Sequence, residues 1–240
     1  GSEMCIRDRA YGRARNIKNS DYTLQTWFTG PEMQQLREDL LNDVRNPMCG
    51  RCWRDEDRGG SSIRIRMNEK FAHLANPDKP EIKYLDLKLS NECNLQCRMC
   101  DQTQSHLINR DVDLINQAGL EMPSNWVSKP NWNTDYLNKI KPVQYEALLR
   151  LIPHIKVLKV TGGEPTIQPE VLELFDKMVE LNVAKDVQLN ITTNGTKFTR
   201  KFLDKVSVFK GVFFNISVDG YGPTYELSLI HISEPTRPRI

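Results

Sequence analysis

The sequence predicts an α/β fold: a curved sheet of about four parallel strands, preceded by a small α-rich segment that carries cysteines. Three observations predict it. Strand-like and helix-like runs alternate after residue 80, at the spacing of parallel β/α units joined by right-handed crossovers. Polar and apolar residues alternate inside the strands, so the sheet has one polar face. The cysteine-rich and glycine-rich turns all fall where a strand ends.

The elements follow in order. Residues 31–45, PEMQQLREDLLNDVR, read as a helix, with Pro31 suited to the first turn and Met33, Leu36, Leu40, Leu41 and Val44 on one face. Pro47 ends it. Residues 49–71 then bring a cysteine pair, Cys49 and Cys52, and a charged, Gly-rich turn. ANPDKP, residues 75–80, has the composition of a linker. Beyond it come strand 82–90, helix 142–155, a strand running into the Gly-Gly turn of KVLKVTGGEP, and helix 168–182 with Val171, Leu172, Phe175, Met178 and Val179 inward. VQLNITTNG is the third strand, TRKFLDKVSVF a short helix and VFFNISVDG the fourth strand. The stretch 104–141, with Trp126 and Trp132, is a long Asn-rich connection of the kind that covers a barrel mouth; packing filler is the alternative.

Length and charge bound the function. A chain of 240 residues builds a sizeable core. A formal net charge of +2 gives no pull toward nucleic acid or acidic membranes. There is no long apolar run to cross a membrane, and the expectation is a cytoplasmic protein. Six cysteines in that setting suggest reduced thiols, metal or catalysis. The two ends read differently. GSEMCIRD at the start and LSLIHISEPTR near the end can be back-translated as reverse complements, and both resemble a transposase adapter used to prepare sequencing libraries. Residues 1–9 and 227–240 are therefore expected to be adapter-derived, which removes Cys5 from the count and makes the natural sequence a fragment.

Alternation carries a second message. Leu85, Leu87 and Leu89 interleave with Tyr84, Asp86, Lys88 and Ser90. Leu189 and Ile191 interleave with Gln188, Asn190, Thr192 and Asn194, and Phe214, Ile216 and Val218 with Asn215, Ser217 and Asp219. An antiparallel sheet with one wet face would show the same pattern, but the intervening helices disfavour it. A curved parallel sheet lining a polar cavity fits better, with function at the C-terminal strand ends.

Cys93, Cys97 and Cys100 sit at C-x3-C-x2-C on one loop after the first strand. Structural zinc wants four ligands in paired spacing. Three thiolates instead suit an iron–sulfur cube, holding three irons and leaving the fourth for a non-protein ligand. GGEP at 162–165 follows the second strand and SVDG at 217–220 closes the fourth. Together, in this order, the three motifs resemble the radical S-adenosylmethionine (SAM) superfamily.

That resemblance implies an incomplete (β/α)6-type partial TIM barrel over residues 81–226, with a [4Fe–4S] cluster on Cys93, Cys97 and Cys100. It implies reductive cleavage of SAM to a 5′-deoxyadenosyl radical that abstracts hydrogen from a small-molecule or peptide substrate. A flavodoxin- or ferredoxin-like electron donor is implied as partner. Gly162, Gly163, Glu164 and Pro165 would hold SAM, with a Cβ at either glycine blocking its approach and Glu164 meeting its amino group. Asn194, Ser217 and Asp219 are candidates for ribose or carboxylate contacts, with strand-end capping as the plainer role. Met99 stands where the family usually has an aromatic residue, and its thioether can pack against adenine. Upstream, Cys49, Cys52, Trp53, Glu56, Gly59, Ser62 and Arg64 match a C-x2-C-W/Y-x2-E-x2-G-x2-S-x-R stretch that resembles SPASM- or twitch-type auxiliary domains. Residues 10–74 are then part of an auxiliary segment, with Cys49 and Cys52 as half of an auxiliary cluster site; a zinc half-site or a redox pair is the alternative. His73, His106 and His154 show no ligand spacing, and the sequence assigns no general acid or base. The alternative functions are a radical-generating activating enzyme acting on a partner protein, and a non-catalytic Fe–S or zinc-binding module. A chain ending after the fourth strand is expected not to turn over SAM by itself.

Overall fold

The structure, a computed structural model, describes residues 24–76, 79–102, 104–121 and 142–218. Both expected adapter segments, Asp219, Trp126 and Trp132 lie outside the described residues. In chain order the described elements are α1 (Leu24–Thr29), α2 (Pro31–Leu41), α3 (Gly50–Asp57), α4 (Ile63–Phe71), β1 (Tyr84–Lys88), α5 (Asn109–Gln117), α6 (Pro142–Leu151), β2 (Val157–Thr161), α7 (Pro169–Glu180), β3 (Gln188–Thr193), α8 (Arg200–Val206) and β4 (Gly211–Ile216). The chain divides into two compact units, Gly1–Tyr84 with Pro142–Ile155, and Leu85–Lys141 with Lys156–Ile240. Of the two helices between the first two strands, α5 groups with the second unit and α6 with the first.

In the first unit, α2 begins at Pro31 as expected and buries Met33 and Leu36. These two and Cys49 form a core cluster against which Trp27, Leu40 and Trp53 pack. Leu41 and Val44 are exposed, against expectation. The helix stops at Leu41 and Asp43 takes φ +56°, so Val44 leaves the helical stripe. Arg37 is buried instead, donating to the Phe28 carbonyl at 2.5 Å with its guanidinium 4.4 Å from the Phe28 ring centre.

The expected charged turn over 49–71 is two helices. Gly59, at φ +74°, closes α3: its N–H donates to Glu56 O and that of Gly60 to Asp55 O, the paired bonds of a left-handed C-cap. Ser62 then caps α4, accepting from Ile65 N at 3.1 Å, while its hydroxyl donates to Glu56 Oε1. Arg64 reaches back with Nε 3.1 Å from Glu56 Oε1 and Nη2 2.5 Å from Oε2, and its plane lies 4.5 Å from the Trp53 ring centre. Trp53 Nε1 donates to Asn46 O at 2.9 Å. Glu, Gly, Ser and Arg of the upstream motif are therefore one clasp that fixes the helix turn behind the cysteine pair.

The second unit holds a four-stranded parallel sheet in the order β1-β2-β3-β4. Register pairs Lys159 with Asn190 and Asn190 with Phe213, and Thr192 with Asn215. The alternation read from the sequence is real: Leu85, Leu158, Val160, Leu189 and Ile191 are buried, while Asp86, Lys88, Lys159, Asn190 and Thr192 lie on the other, more open face. There Lys159 Nζ pairs with Asp86 Oδ2 at 2.8 Å. Helix α7 starts at Pro169, with Glu170 in its positive first turn and Lys177 in its last. It buries Val171, Leu174, Phe175 and Met178, an i, i+3, i+4, i+7 stripe. Leu174 replaces the expected Val179, which is exposed because it falls outside that stripe. Asn182 at φ +57° ends it, with Val183 N bonded to Met178 O and Asn182 N to Val179 O. On β4, Phe214 packs edge-on against Phe198 at 4.9 Å, whereas Phe213 and Ile216 are exposed. No helix among the described residues is long and apolar enough to cross a membrane.

The clasp generates a pH prediction. Burial alone would raise the Glu56 carboxyl, but the hydrogen bonds from Arg64 and Ser62 and the charges of Arg64 and Arg45 overcome it and hold the group below its ordinary value of 4.5. A depressed folded-state value means stability that is present above the unfolded value and lost as pH falls through the folded one. Thermal melts from pH 7 to 3 should show Glu56→Gln less stable than wild type at neutral pH, with the gap closing below about pH 4.5. A gap that stays constant across that window would show that the carboxylate charge contributes nothing.

Candidate functional site

The loop after β1 is built around what it buries. Leu95 and Ile108 are inside, as are Asn91, Gln96, Gln102 and Ser105. Each buried polar group named next is used to close the loop. Asn91 Nδ2 donates to Gln102 O at 2.8 Å, Ser105 Oγ to Leu95 O at 2.7 Å, and His106 N to Asn91 O at 2.9 Å. Gln96 Nε2 donates to Asp111 on α5. With Leu95 and Gln96 as the anchor between them, Cys93 and Cys97 are partly exposed, as is Cys100, and all three are free thiols. A turn joins the last two, Cys100 N to Cys97 O at 3.0 Å.

Cys93 is held at both its backbone and its sulfur. Its N–H donates to His106 Nδ1 at 3.2 Å, and its sulfur accepts from Leu95 N at 3.4 Å. Burial pushes its thiol up, the Leu95 N–H works the other way, and Glu164 and Cys100 nearby push it up further.

The Gly-Gly turn after β2 lies against the base of this loop. A Cβ on Gly163 would stand 2.0 Å from Glu92 O and 2.6 Å from Glu92 C. One on Gly162, at φ +93°, would stand 2.4 Å from Lys88 Cγ and 2.9 Å from Ser90 O. The closeness is sealed by Glu164 N donating to Glu92 O at 2.7 Å. Gln168, fully buried, donates through Nε2 to Glu92 O at 3.1 Å and to Ser90 O at 3.3 Å. The glycines were expected to make room for SAM; what their missing Cβ makes room for here is the backbone of residues 90–92.

Glu164 is likewise engaged within the fold. Its side chain is fully buried. Oε1 accepts from Thr166 N at 3.1 Å, Thr166 Oγ1 at 2.7 Å and Thr193 Oγ1 at 2.7 Å, and Oε2 accepts from Asn194 N at 2.7 Å. A carboxylate offers about four acceptor positions. This one is directed into the protein, tying the end of β2 to the end of β3. Asn194 is also engaged: Oδ1 accepts from Thr196 N and Oγ1, and Nδ2 contacts Asn94 Oδ1 and Cys93 Sγ.

Cys93, Glu164 and Asn194, from three separate motifs, are therefore brought together. Pro165 is buried beside them in a short 3-10 turn. Met99 is exposed and Ser217 is exposed beyond β4, its N–H continuing the ladder to Thr193 O at 2.8 Å. In the first unit, Cys49 and Cys52 are buried, and burial followed by the neighbouring Cys52 pushes the Cys49 thiol up. His106, Asn94, Thr196, Gln168 and Thr193 are site residues that the sequence did not reveal. They are ordinary polar residues whose partners lie far along the chain, and no spacing marks them.

The donor set fits an iron–sulfur group: three soft thiols on one partly open loop, with a backbone N–H already directed at the Cys93 sulfur. Among the described residues no group of three or more His, Cys, Asp or Glu gathers around a position for a single metal ion. A parallel α/β sheet with its cysteine loop and Gly-Gly turn at the C-terminal strand ends has the layout of a cofactor-binding α/β protein. The radical SAM superfamily model matches residues 87–239, and the chain belongs to that superfamily. Membership implies a [4Fe–4S] cluster and SAM, and SAM-dependent radical chemistry. The match runs past Leu227, where adapter sequence was expected to begin.

Curated relatives are distant. The chain is 23% identical over 164 residues to the GTP 3',8-cyclase of Haemophilus influenzae (strain PittEE), covering 68% of this chain and 40% of that protein. It is 27% identical over 128 residues to the GTP 3',8-cyclase of Syntrophomonas wolfei, covering 50% and 30%. It is 25% identical over 122 residues to the 7,8-dihydro-6-hydroxymethylpterin dimethyltransferase of Methanocaldococcus jannaschii, covering 49% and 23%. The chain thus spans less than half the length of these relatives.

Gly163→Ala is expected to be severe. Its Cβ would meet backbone, which cannot rotate away, so the loss should exceed ~2 kcal/mol by denaturant unfolding. Gly59→Ala is the comparison: its Cβ meets nothing within 4 Å, leaving only the cost of φ +74°, about 1 kcal/mol. Equal losses for the two would show that the 162–164 turn is not held against residues 90–92.

Proposed function

We propose that Cys93, Cys97 and Cys100 hold a [4Fe–4S] cluster and that the complete protein cleaves SAM reductively, using the radical formed to abstract hydrogen from a substrate. The observation that supports this best is the three-thiol loop locked to the ends of β2 and β3 through Glu92, Glu164 and Asn194. The cluster, when bound, supplies the electron that breaks the S–C5′ bond. The chain's own residues hold the loop, keep its base dry and fix the Cys93 sulfur.

SAM contacts are assigned to the remaining positions of the motifs: the backbone at Gly162, Gly163 and Pro165, the exposed thioether of Met99, and Ser217 with Asp219. Glu164 and Asn194 act by holding the scaffold. The polar face carrying Asp86, Lys159, Asn190 and Thr192 suits a polar substrate. Relatives named for GTP and for a pterin favour a small molecule over a peptide or a partner protein. The electron donor is of flavodoxin or ferredoxin type, in a cytoplasmic setting. Cys49 and Cys52 contribute to an auxiliary cluster of SPASM or twitch type, within an auxiliary segment spanning 10–74 and joined to the 81–226 core at 75–80. The buried, adjacent thiols and the clasp behind them support that role.

The test uses the full-length protein, reconstituted anaerobically with iron and sulfide and reduced with dithionite. Wild type should give 5′-deoxyadenosine from SAM. Cys93→Ala/Cys97→Ala/Cys100→Ala should reduce it to background, with about one cluster fewer per chain. Product from the triple variant would overturn the ligand assignment, and none from a loaded wild type would favour a binding module.

A further inference from the structure

Asn194 was expected to touch SAM; its surroundings point elsewhere. Thr196 N can only donate, and it lies 3.0 Å from Asn194 Oδ1. Thr196 Oγ1 donates to the same oxygen at 2.7 Å. The carbonyl end of the amide is therefore fixed toward Thr196, and the orientation of the amide follows from its partners. The opposite end, Nδ2, is left facing Asn94 Oδ1 at 3.1 Å and Cys93 Sγ at 3.9 Å. Asn94 Nδ2 donates to Thr196 Oγ1 at 2.8 Å, which closes the three side chains into a ring. The backbone N–H of Asn194 is meanwhile held by Glu164 Oε2. The half-buried amide is thus constrained from several sides.

We propose that Asn194 is a positioning residue for Cys93: its amide N–H, oriented by Thr196 and Asn94, donates to the Cys93 sulfur and so tunes the cluster that this sulfur ligates. This rests on the reading of Cys93 as a ligand given above. A thiolate bound to iron carries more electron density than a thiol, so the long contact strengthens when the site is loaded. Donors to cluster sulfurs favour the reduced, more negative state and raise the reduction potential. The Leu95 N–H does the same from within the loop. Asn194 does it from the end of β3, so the potential becomes sensitive to how the sheet holds the loop.

The experiment is a redox titration of the reconstituted full-length protein followed by electron paramagnetic resonance, with iron per chain measured in parallel. In Asn194→Ala the reduced-to-oxidised ratio at the wild-type midpoint should fall about fivefold, the worth of one hydrogen bond. Asn194→Asp keeps the acceptor for Thr196 and replaces the donor with an anion, so it should fall further. Thr196→Val should move the same way by less. A wild-type potential in Asn194→Ala and Asn194→Asp, at wild-type or reduced iron content, overturns the inference, because a merely structural role alters loading and not the potential of the clusters that remain. A second measurement stands without the cluster: in the iron-free protein, Cys93→Ala should shift the Asn194 side-chain amide resonances and Cys97→Ala should not, and unmoved resonances overturn the contact. Failure of the wild type to load any cluster would instead overturn the ligand reading beneath it.

Discussion

The buried Glu164 carboxylate is the constraint on which the second unit depends. A carboxylate removed from water is costly unless its acceptor positions are filled. Four donations, from Thr166, Thr193 and Asn194, fill them. Those donors come from the turn after β2 and from the end of β3, so satisfying the charge fixes where the two strand ends stop. The backbone N–H of the same residue reaches Glu92 O and fixes the base of the cysteine loop. One residue thereby sets the relation between three turns that are far apart in sequence. That is the physical reason for a Glu after two glycines: the glycines let the backbones close, and the carboxylate holds what has closed.

Precision at the cysteines follows from this arrangement. Three thiols on a loop would be free to wander, and a loop pays entropy to present them together. Here Leu95, between the first two cysteines, is buried, and Asn91, Gln96 and Ser105 fasten the loop from inside. The partly exposed cysteines thus sit on a loop closed by its own hydrogen bonds. His106, the first residue of the turn leading into α5, accepts the Cys93 N–H through Nδ1 and so carries its ring proton on Nε2 when neutral.

Much of this was legible in the sequence, and the division has a physical cause. Strands and their polar face were legible because side chains alternate across a strand whatever lies around it. The cysteine loop stood out because its three thiols fall at one tight spacing in one short stretch. Helix α7 was legible in period, though its buried stripe includes Leu174 rather than Val179. The clasp in residues 53–64 was read as a turn, because Gly59, Gly60 and a run of charges hide two short helices whose ends they cap. Strand-end capping by Asn194 was legible, and Thr196 N does donate to its Oδ1, but the long-range contacts of Glu164 and Asn194 were not. Their partners lie 30 and 101 residues away, and an acid or an amide in a strand-end motif looks the same whether it faces a ligand or its own fold.

The two cysteine sites solve the same electrostatic difficulty in different ways. A ligating thiol must give up its proton, and burial opposes that at both Cys49 and Cys93. At Cys93 the opposition is met by directed donors: a backbone N–H and an oriented amide. At Cys49 it is met by charge alone, from Arg64, and part of that charge is cancelled because Glu56 sits in the same clasp and pushes the other way. Glu56 is needed to hold Arg64 over Trp53, so the clasp fixes the geometry behind the pair at the expense of favouring its thiolates. In the loop after β1, the donors to the Cys93 sulfur are part of the hydrogen-bonded fold itself. At the buried pair, the Arg64 guanidinium that favours the Cys49 thiolate is already committed to a carboxylate, so its effect is partly offset.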